Sequence, residues 1–127
     1  RVHLPGWVED VAPLLGALDV FVSASHVESF GLAIVEAMAS GLAVLATATE
    51  GARELIEDEA TGLLVPIGDV GALSKSLLRL LEDAGERARL GARARDAARR
   101  HYGLEQMIEA TENLYLDVVR EREGSRG

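Results

Sequence analysis

Short apolar runs alternate with helix-patterned segments along the first half of this chain, and that alternation restricts its fold more than any other feature. Strands separated by helices read as a parallel sheet, because each helix carries the chain back to start the next strand. Val2 to Leu4 reads as a short strand closed by Pro5-Gly6. Val20 to Ser25, Ala43 to Thr47 and Thr61 to Pro66 read as three more, rich in β-formers. Helices are expected from Glu9 to about Leu18, from Gly31 to Ser40, over Ala52 to Asp58, and from an Asp69 cap to about Asp83. Acids at Glu9 and Asp10 suit a helix N-terminus, and Gly41 suits the position after a helix end. On the helix capped by Asp69, Leu73, Leu77, Leu80 and Leu81 are expected to face inward. The second half reads as helix only: an Ala/Arg-rich segment from Glu86 to Arg100, then Leu104 to about Arg122. The expected fold class is therefore α/β, a Rossmann-like parallel sheet of about four strands flanked by helices, with a helical C-terminal tail.

Composition excludes several functions. A chain of 127 residues that is 48% hydrophobic is expected to form one domain, spanning 1–127, with a single core. It has no cysteine, which excludes disulfides, thiolate metal sites and a thiol nucleophile. A formal net charge of −8 argues against nucleic acid and against anionic membranes as partners. No apolar run approaches the ~20 residues that span a bilayer. The segment from Arg1 to Trp7 does not read as a signal peptide, and without an initiator Met it reads as the interior of a longer protein.

Chemistry concentrates between Val20 and Gly41. Glu36 stands among apolar residues and glycine, where a carboxylate is costly to bury unless it is hydrogen-bonded. Glu28 stands in the turn before the same helix. A helix N-terminus at Ser29-Phe30-Gly31-Leu32 offers free N–H groups and a dipole to an anion, typically phosphate. Gly31 lets that backbone approach a ligand closely. Carboxylates are pure acceptors, so sugar hydroxyls are their natural partners. A phosphate at the helix end with hydroxyls on either side describes a nucleotide sugar. The competing reading for Glu36 is a satisfied buried pair with Arg53, and for Glu28 an acid that only complements the helix dipole. His3, His26 and His101 read as solvated or dipole-linked groups, and no metal-ligand spacing appears. Ser23, Ser25 and Ser29 lack a nucleophile-elbow context. The arginines from Arg87 to Arg100 read as a solvated face, with a basic interaction surface as the alternative.

Glu28-Ser29-Phe30-Gly31-Leu32 and Glu36-Ala37-Met38-Ala39-Ser40-Gly41 resemble the signature of the retaining family-4 glycosyltransferases of GT-B fold. In that signature two glutamates, separated by seven residues, stand in an E-G-F-G-L…E-A-M-A-x-G frame. Gly6-Trp7-Val8, Leu18-Asp19-Val20-Phe21-Val22, Gly41 to Thr47, Gly51 to Ile56 and Thr61 to Pro66 resemble further segments of the family in the same order. The resemblance implies the C-terminal, donor-binding part of such an enzyme. Glu28 would be catalytic, contacting donor-sugar hydroxyls; Ser29, Phe30, Gly31 and Leu32 would hold the diphosphate; Glu36 would bind the ribose; Val8 would sit near the base. The donor would be a UDP-, GDP- or ADP-sugar, with no tightly bound metal. The family's Arg and Lys that neutralise the diphosphate, and its N-terminal acceptor domain, find no counterpart in this sequence. The expected partners are thus a nucleotide sugar and that missing domain, with a homodimer through an exposed sheet edge as a further expectation. A cytoplasmic location is implied, with a peripheral membrane role of the full protein left open. Ser29 and Glu50 replace family glycines, and Ala43 replaces a common proline.

Overall fold

The computed structural model describes residues 1–124. Its elements run α1 (Ala12–Gly16), β1 (Val20–Ser23), α2 (Leu32–Ala39), β2 (Ala43–Thr47), α3 (Glu50–Leu55), β3 (Leu63–Val65), α4 (Val70–Glu82), α5 (Ala84–His101) and α6 (Leu104–Gly124). The strands form one parallel sheet in the order β1-β2-β3. Val20 pairs with Ala43 and Ser23 with Ala46, while Leu45 pairs with Leu63 and Thr47 with Val65.

The α/β expectation holds, with three strands among the described residues rather than four. Val2 to Leu4 forms no strand: Val2 and Leu4 are 88% and 90% exposed. Strand-forming residues make a strand only beside a partner that takes their N–H and C=O groups, and none lies beside this segment among the described residues. The first helix begins at Ala12 instead of Glu9. Pro13 explains this, since a helix from Glu9 would press the proline ring against the Glu9 carbonyl. The Asp10 carboxylate caps the shortened helix by accepting from the Ala12 N–H at 3.0 Å. The third helix starts earlier than expected and stops at Leu55, because Thr49 caps it through a bond from the Ala52 N–H at 3.3 Å. Beyond it the chain is extended and turns back, with Asp58 bridged to Gly62 before β3.

Each face of the sheet is covered. On one side Val44 and Ala46 of β2 pack with Ile34, Ala37 and Met38 of α2, Ala52 and Leu55 of α3, and Ala94 and Ala98 of α5. On the other, Ala43, Leu45, Leu63 and Val65 pack with Leu80 and Leu90. This is the period-2 alternation of a strand buried on both faces, and all five β2 residues are buried. Asp69 caps α4 as the sequence suggests, accepting from the Ala72 N–H at 2.8 Å. Leu73, Leu77 and Leu80 face inward, but Leu81 is 53% exposed. It lies one residue past the inner stripe, turned toward solvent.

The scarcity of large apolar residues in α5 has a geometric cause. A Cβ on Gly91 would lie 2.1 Å from the Gly41 carbonyl oxygen, so this helix crosses the backbone at the start of β2 with no room for a side chain. Gly41 itself is left-handed at φ +79°, ending α2. The α5 arginines are largely engaged with carbonyls. Arg87 donates to Leu80 and Leu81 oxygens at 2.6 and 3.0 Å, Arg89 to Glu59 O at 3.2 Å, and Arg95 to Ser40 O at 3.3 Å. These three tie α5 to the ends of its neighbours, while every arginine from Arg89 to Arg100 is exposed, as the solvated-face reading expects. Glu59, left-handed at φ +62°, is gripped by Arg79 through bonds of 2.7 and 2.6 Å, and Arg79 also meets Glu86. The hydrogen bond from Arg79 holds the Glu59 carboxyl below the usual carboxylate range, and these two acids raise Arg79.

No helix among the described residues is long and apolar enough to cross a membrane.

Candidate functional site

The site predicted from sequence lies where β1 gives way to α2. Gly31 is the residue before α2, at φ +93° and ψ +53°, a conformation that side chains resist. The space is tight as well: a Cβ there would meet Leu55 Cδ1 at 3.1 Å, Ile34 Cδ1 at 3.2 Å and Glu28 Cγ at 3.3 Å. The torsion asks for glycine, and a side chain would in addition press on these three neighbours. The Gly31 carbonyl accepts from Ile34 and Val35 at 2.9 and 3.1 Å, which starts the helix. Before them, the N–H groups of Leu32 and Ala33 have no acceptor among the described residues, and no side chain caps them. These are the orphan donors of a helix N-terminus, left available to an anion.

Two carboxylates flank this helix start. Glu28 is half-buried in the loop, with its Cγ against Gly31. Glu36 follows Leu32 by one helical turn, on the face opposite the buried Ile34, Ala37 and Met38. Neither carboxylate forms an ion pair among the described residues. No fully buried side-chain oxygen there lacks a partner, so both reach water. This corrects two expectations. Glu36 is half-buried rather than buried, because its apolar sequence neighbours are distributed around the helix rather than gathered over it. Nor is it paired with Arg53, whose Nε donates instead to the Ala48 carbonyl at 3.1 Å.

The remaining predicted residues are placed unequally. Phe30 and Leu32 line an apolar cavity of about 390 Å³ with Val35, Tyr102 and Met107, at the junction of α5 and α6. Ser29 is exposed in the loop. Val8 is half-buried in a segment without regular structure, and makes no hydrogen bond to the loop among the described residues. His26 lines a separate cavity of about 110 Å³ with Thr47, Asp69 and Leu73. Among the described residues no group of metal-ligating side chains comes together.

Three residues that hold the loop were not singled out by sequence. Tyr102 packs edge-on to Phe30 at 6.2 Å and donates its hydroxyl to Glu54 O at 3.1 Å. Thr47 Oγ1 donates to Ser25 O at 2.5 Å, and the Gly51 N–H donates to Glu28 O at 3.0 Å. Tyr102 and Thr47 gave no local signal, since each acts on a segment distant in sequence. Gly51 was visible only as part of a glycine-containing motif.

Comparison with known proteins agrees with this geometry. The family model for glycosyl transferases group 1 matches residues 1–97. Over 121 residues the chain is 40% identical to the D-inositol 3-phosphate glycosyltransferase of Xylanimonas cellulosilytica. Over the same length it is 34% identical to the N-acetyl-alpha-D-glucosaminyl L-malate synthase of Bacillus anthracis. Each alignment covers 95% of this chain but only 29% and 32% of the relatives, so the chain spans less than a third of their length. Among solved structures, Anabaena HepE in complex with UDP and glucose superposes with a TM-score of 0.82 at 30% identity, covering 91% of this chain and 32% of that one. Sucrose-phosphate synthase from Thermosynechococcus elongatus gives a TM-score of 0.82 at 33% identity, covering 87% and 28%.

Proposed function

The chain belongs to the group 1 glycosyltransferases of GT-B fold, and from that premise we propose that it is the part of such an enzyme that holds a nucleotide-diphosphate sugar. One observation carries the reading. Two carboxylates without ion-pair partners flank a helix start whose Leu32 and Ala33 N–H groups have no acceptor among the described residues. Donors for a diphosphate thus stand between acceptors for hydroxyls. In this reading the backbone from Ser29 to Leu32 takes the diphosphate, Glu36 the ribose hydroxyls and Glu28 the hydroxyls of the transferred sugar. Val8 approaches the base. Transfer proceeds with retention, by stabilisation of the departing diphosphate, so that preorganised N–H donors rather than a nucleophile do the chemistry. HepE has been solved with UDP-glucose, which makes UDP the first nucleotide to try ahead of GDP and ADP.

The whole enzyme would need cations at the diphosphate and an acceptor-binding domain, so the 127-residue chain alone is expected to bind donor without transferring sugar. The outer edge of β1 is unpaired among the described residues, and a second copy of the isolated chain is expected to pair there. A cytoplasmic location follows from the use of nucleotide sugars.

A second reading, a non-catalytic nucleotide-binding or scaffold module of the same fold, is favoured by Glu50. It places an exposed acid at the start of α3, directly beside Gly51 and the loop that Gly51 holds. Calorimetric titration of the chain with UDP, GDP and ADP tests both. Binding of one nucleotide that weakens in Glu36→Ala supports the donor site in this chain, whereas a folded chain that ignores all three favours the scaffold reading. Sugar transfer by the isolated chain would refute the predicted inactivity.

A further inference from the structure

The loop that carries Glu28 and leads into the helix start has no regular structure, yet its backbone is tied to the sheet and to α3 at two points. β1 ends its ladder at Ser23, opposite Ala46. One residue further along β2, the Thr47 hydroxyl reaches across to Ser25 O at 2.5 Å, with Ser23 O at 3.4 Å. A side-chain donor thus continues the ladder after the backbone has left it. Thr47 is only 6% exposed, so this bond is shielded from water.

The second tie comes from α3. Thr49 satisfies the Ala52 N–H, leaving the Gly51 N–H as a free donor of the first turn, and it is given to Glu28 O at 3.0 Å. The approach is close on the side-chain side as well. A Cβ at Gly51 would lie 2.8 Å from Glu28 O and 2.9 Å from both Phe30 N and Phe30 O. Gly51 has a negative φ, so glycine is needed here for space alone.

We propose that Thr47 and Gly51 are positioning residues for the donor site. They fix the peptides of Ser25, Glu28 and Phe30, so that the Glu28 carboxylate and the N–H groups of Leu32 and Ala33 hold one geometry before a ligand arrives. Preorganisation of this kind separates site quality from fold stability. Gly51→Ala sets a methyl against Glu28 O, Phe30 N and Phe30 O, so these loop peptides must shift. The inference rests on the donor-site reading for its functional half; the fixing of the loop stands on the geometry above.

The test uses the 127-residue protein and the variants Thr47→Val, Thr47→Ser and Gly51→Ala. Backbone amide resonances are read without nucleotide, and affinity is read with UDP. In Thr47→Val and Gly51→Ala the resonances of Glu28, Phe30 and Leu32 are expected to move while those of Leu45 and Leu63 stay. UDP should weaken roughly tenfold, the scale of one charge-assisted hydrogen bond. Thr47→Ser keeps the hydroxyl and should restore both readouts. Unmoved loop resonances in both variants overturn the proposal, and so do moved resonances with unchanged UDP affinity. Wild-type protein that binds no nucleotide counts against the donor reading alone, and the ligand-free spectra still decide whether Thr47 and Gly51 fix the loop.

Discussion

β2 and α6 are the two extremes of this chain. All five residues of β2 are buried, and each is explained by a neighbour in the sheet or in a covering helix. In α6 no residue from Leu104 to Arg122 is buried, although Leu104, Met107, Ile108, Leu114, Tyr115 and Val118 repeat at helical spacing. The strand's apolar residues are accounted for by the fold around them. Those of the helix form a stripe that the described residues leave uncovered. A helix of this length draws little stability from propensity alone. The contrast teaches that apolar content and burial are separate facts, the second being decided by what lies opposite.

The largest expected effect breaks the strand. Leu45→Ala should cost about 2–5 kcal/mol in urea unfolding, through lost transfer energy and a residual cavity. Next comes Gly91→Ala, whose added carbon meets the Gly41 carbonyl, a backbone atom that cannot swing aside. We expect a loss of about 1–3 kcal/mol as α5 is forced from the sheet; an unchanged unfolding midpoint would show that α5 sits farther from β2 than described.

Glu36→Ala lies between the extremes, on the half-buried face of α2. Its stability should stay within about 0.5 kcal/mol of the parent, while UDP binding should weaken roughly tenfold or more, as when a hydrogen bond to a charged group is removed. Loss of stability in step with affinity would mean that this carboxylate supports the fold instead.

Arg79→Ala should cost less, about 1 kcal/mol, because its pair with Glu59 is well exposed, while Glu86, only 11% exposed, also loses this partner. The loss should depend on pH. Arg79 holds the Glu59 carboxyl below its ordinary 4.5, so the pair stabilises the fold above that pH and stops doing so as pH falls through the lowered value. The gap between variant and parent should therefore be widest near neutrality and close on acidification. A gap that widens in acid would reverse the assignment. Smallest of all, Leu114→Ala should change stability by no more than about 0.5 kcal/mol. A cost equal to that of Leu45→Ala would erase the contrast between strand and helix and show α6 to be packed in solution.

What could be read from sequence divides along the same line. β2 was legible to the residue, because an unbroken apolar run bounded by Gly41-Leu42 and Ala48-Thr49 has few other uses. Asp69 and Gly41 were legible because capping is local chemistry. The helix start at Gly31 and its two glutamates were legible because residue type and spacing sit within one turn. Val2 to Leu4 misled, since β-forming residues without a neighbouring strand form nothing. Pro13 did carry a local signal, and the expected helix from Glu9 overlooked it. Tyr102 and Thr47 could not be found locally. Tyr102 is brought to Phe30 by the path of α5, and Thr47 to Ser25 by strand pairing, so their roles exist only once the fold does.

The strand order has a consequence for the route by which the fold forms. Each strand hydrogen-bonds to the next one in sequence, across a single intervening helix. No pairing must wait for a distant segment to be found, so the entropic cost of loop closure is met in small steps. Such a chain is expected to gain structure progressively from its N-terminal strand as it is made. The docking of α5, through Gly91 onto Gly41, Arg95 onto Ser40 and Tyr102 onto Phe30, then brings in the contacts of longest sequence range and closes the search.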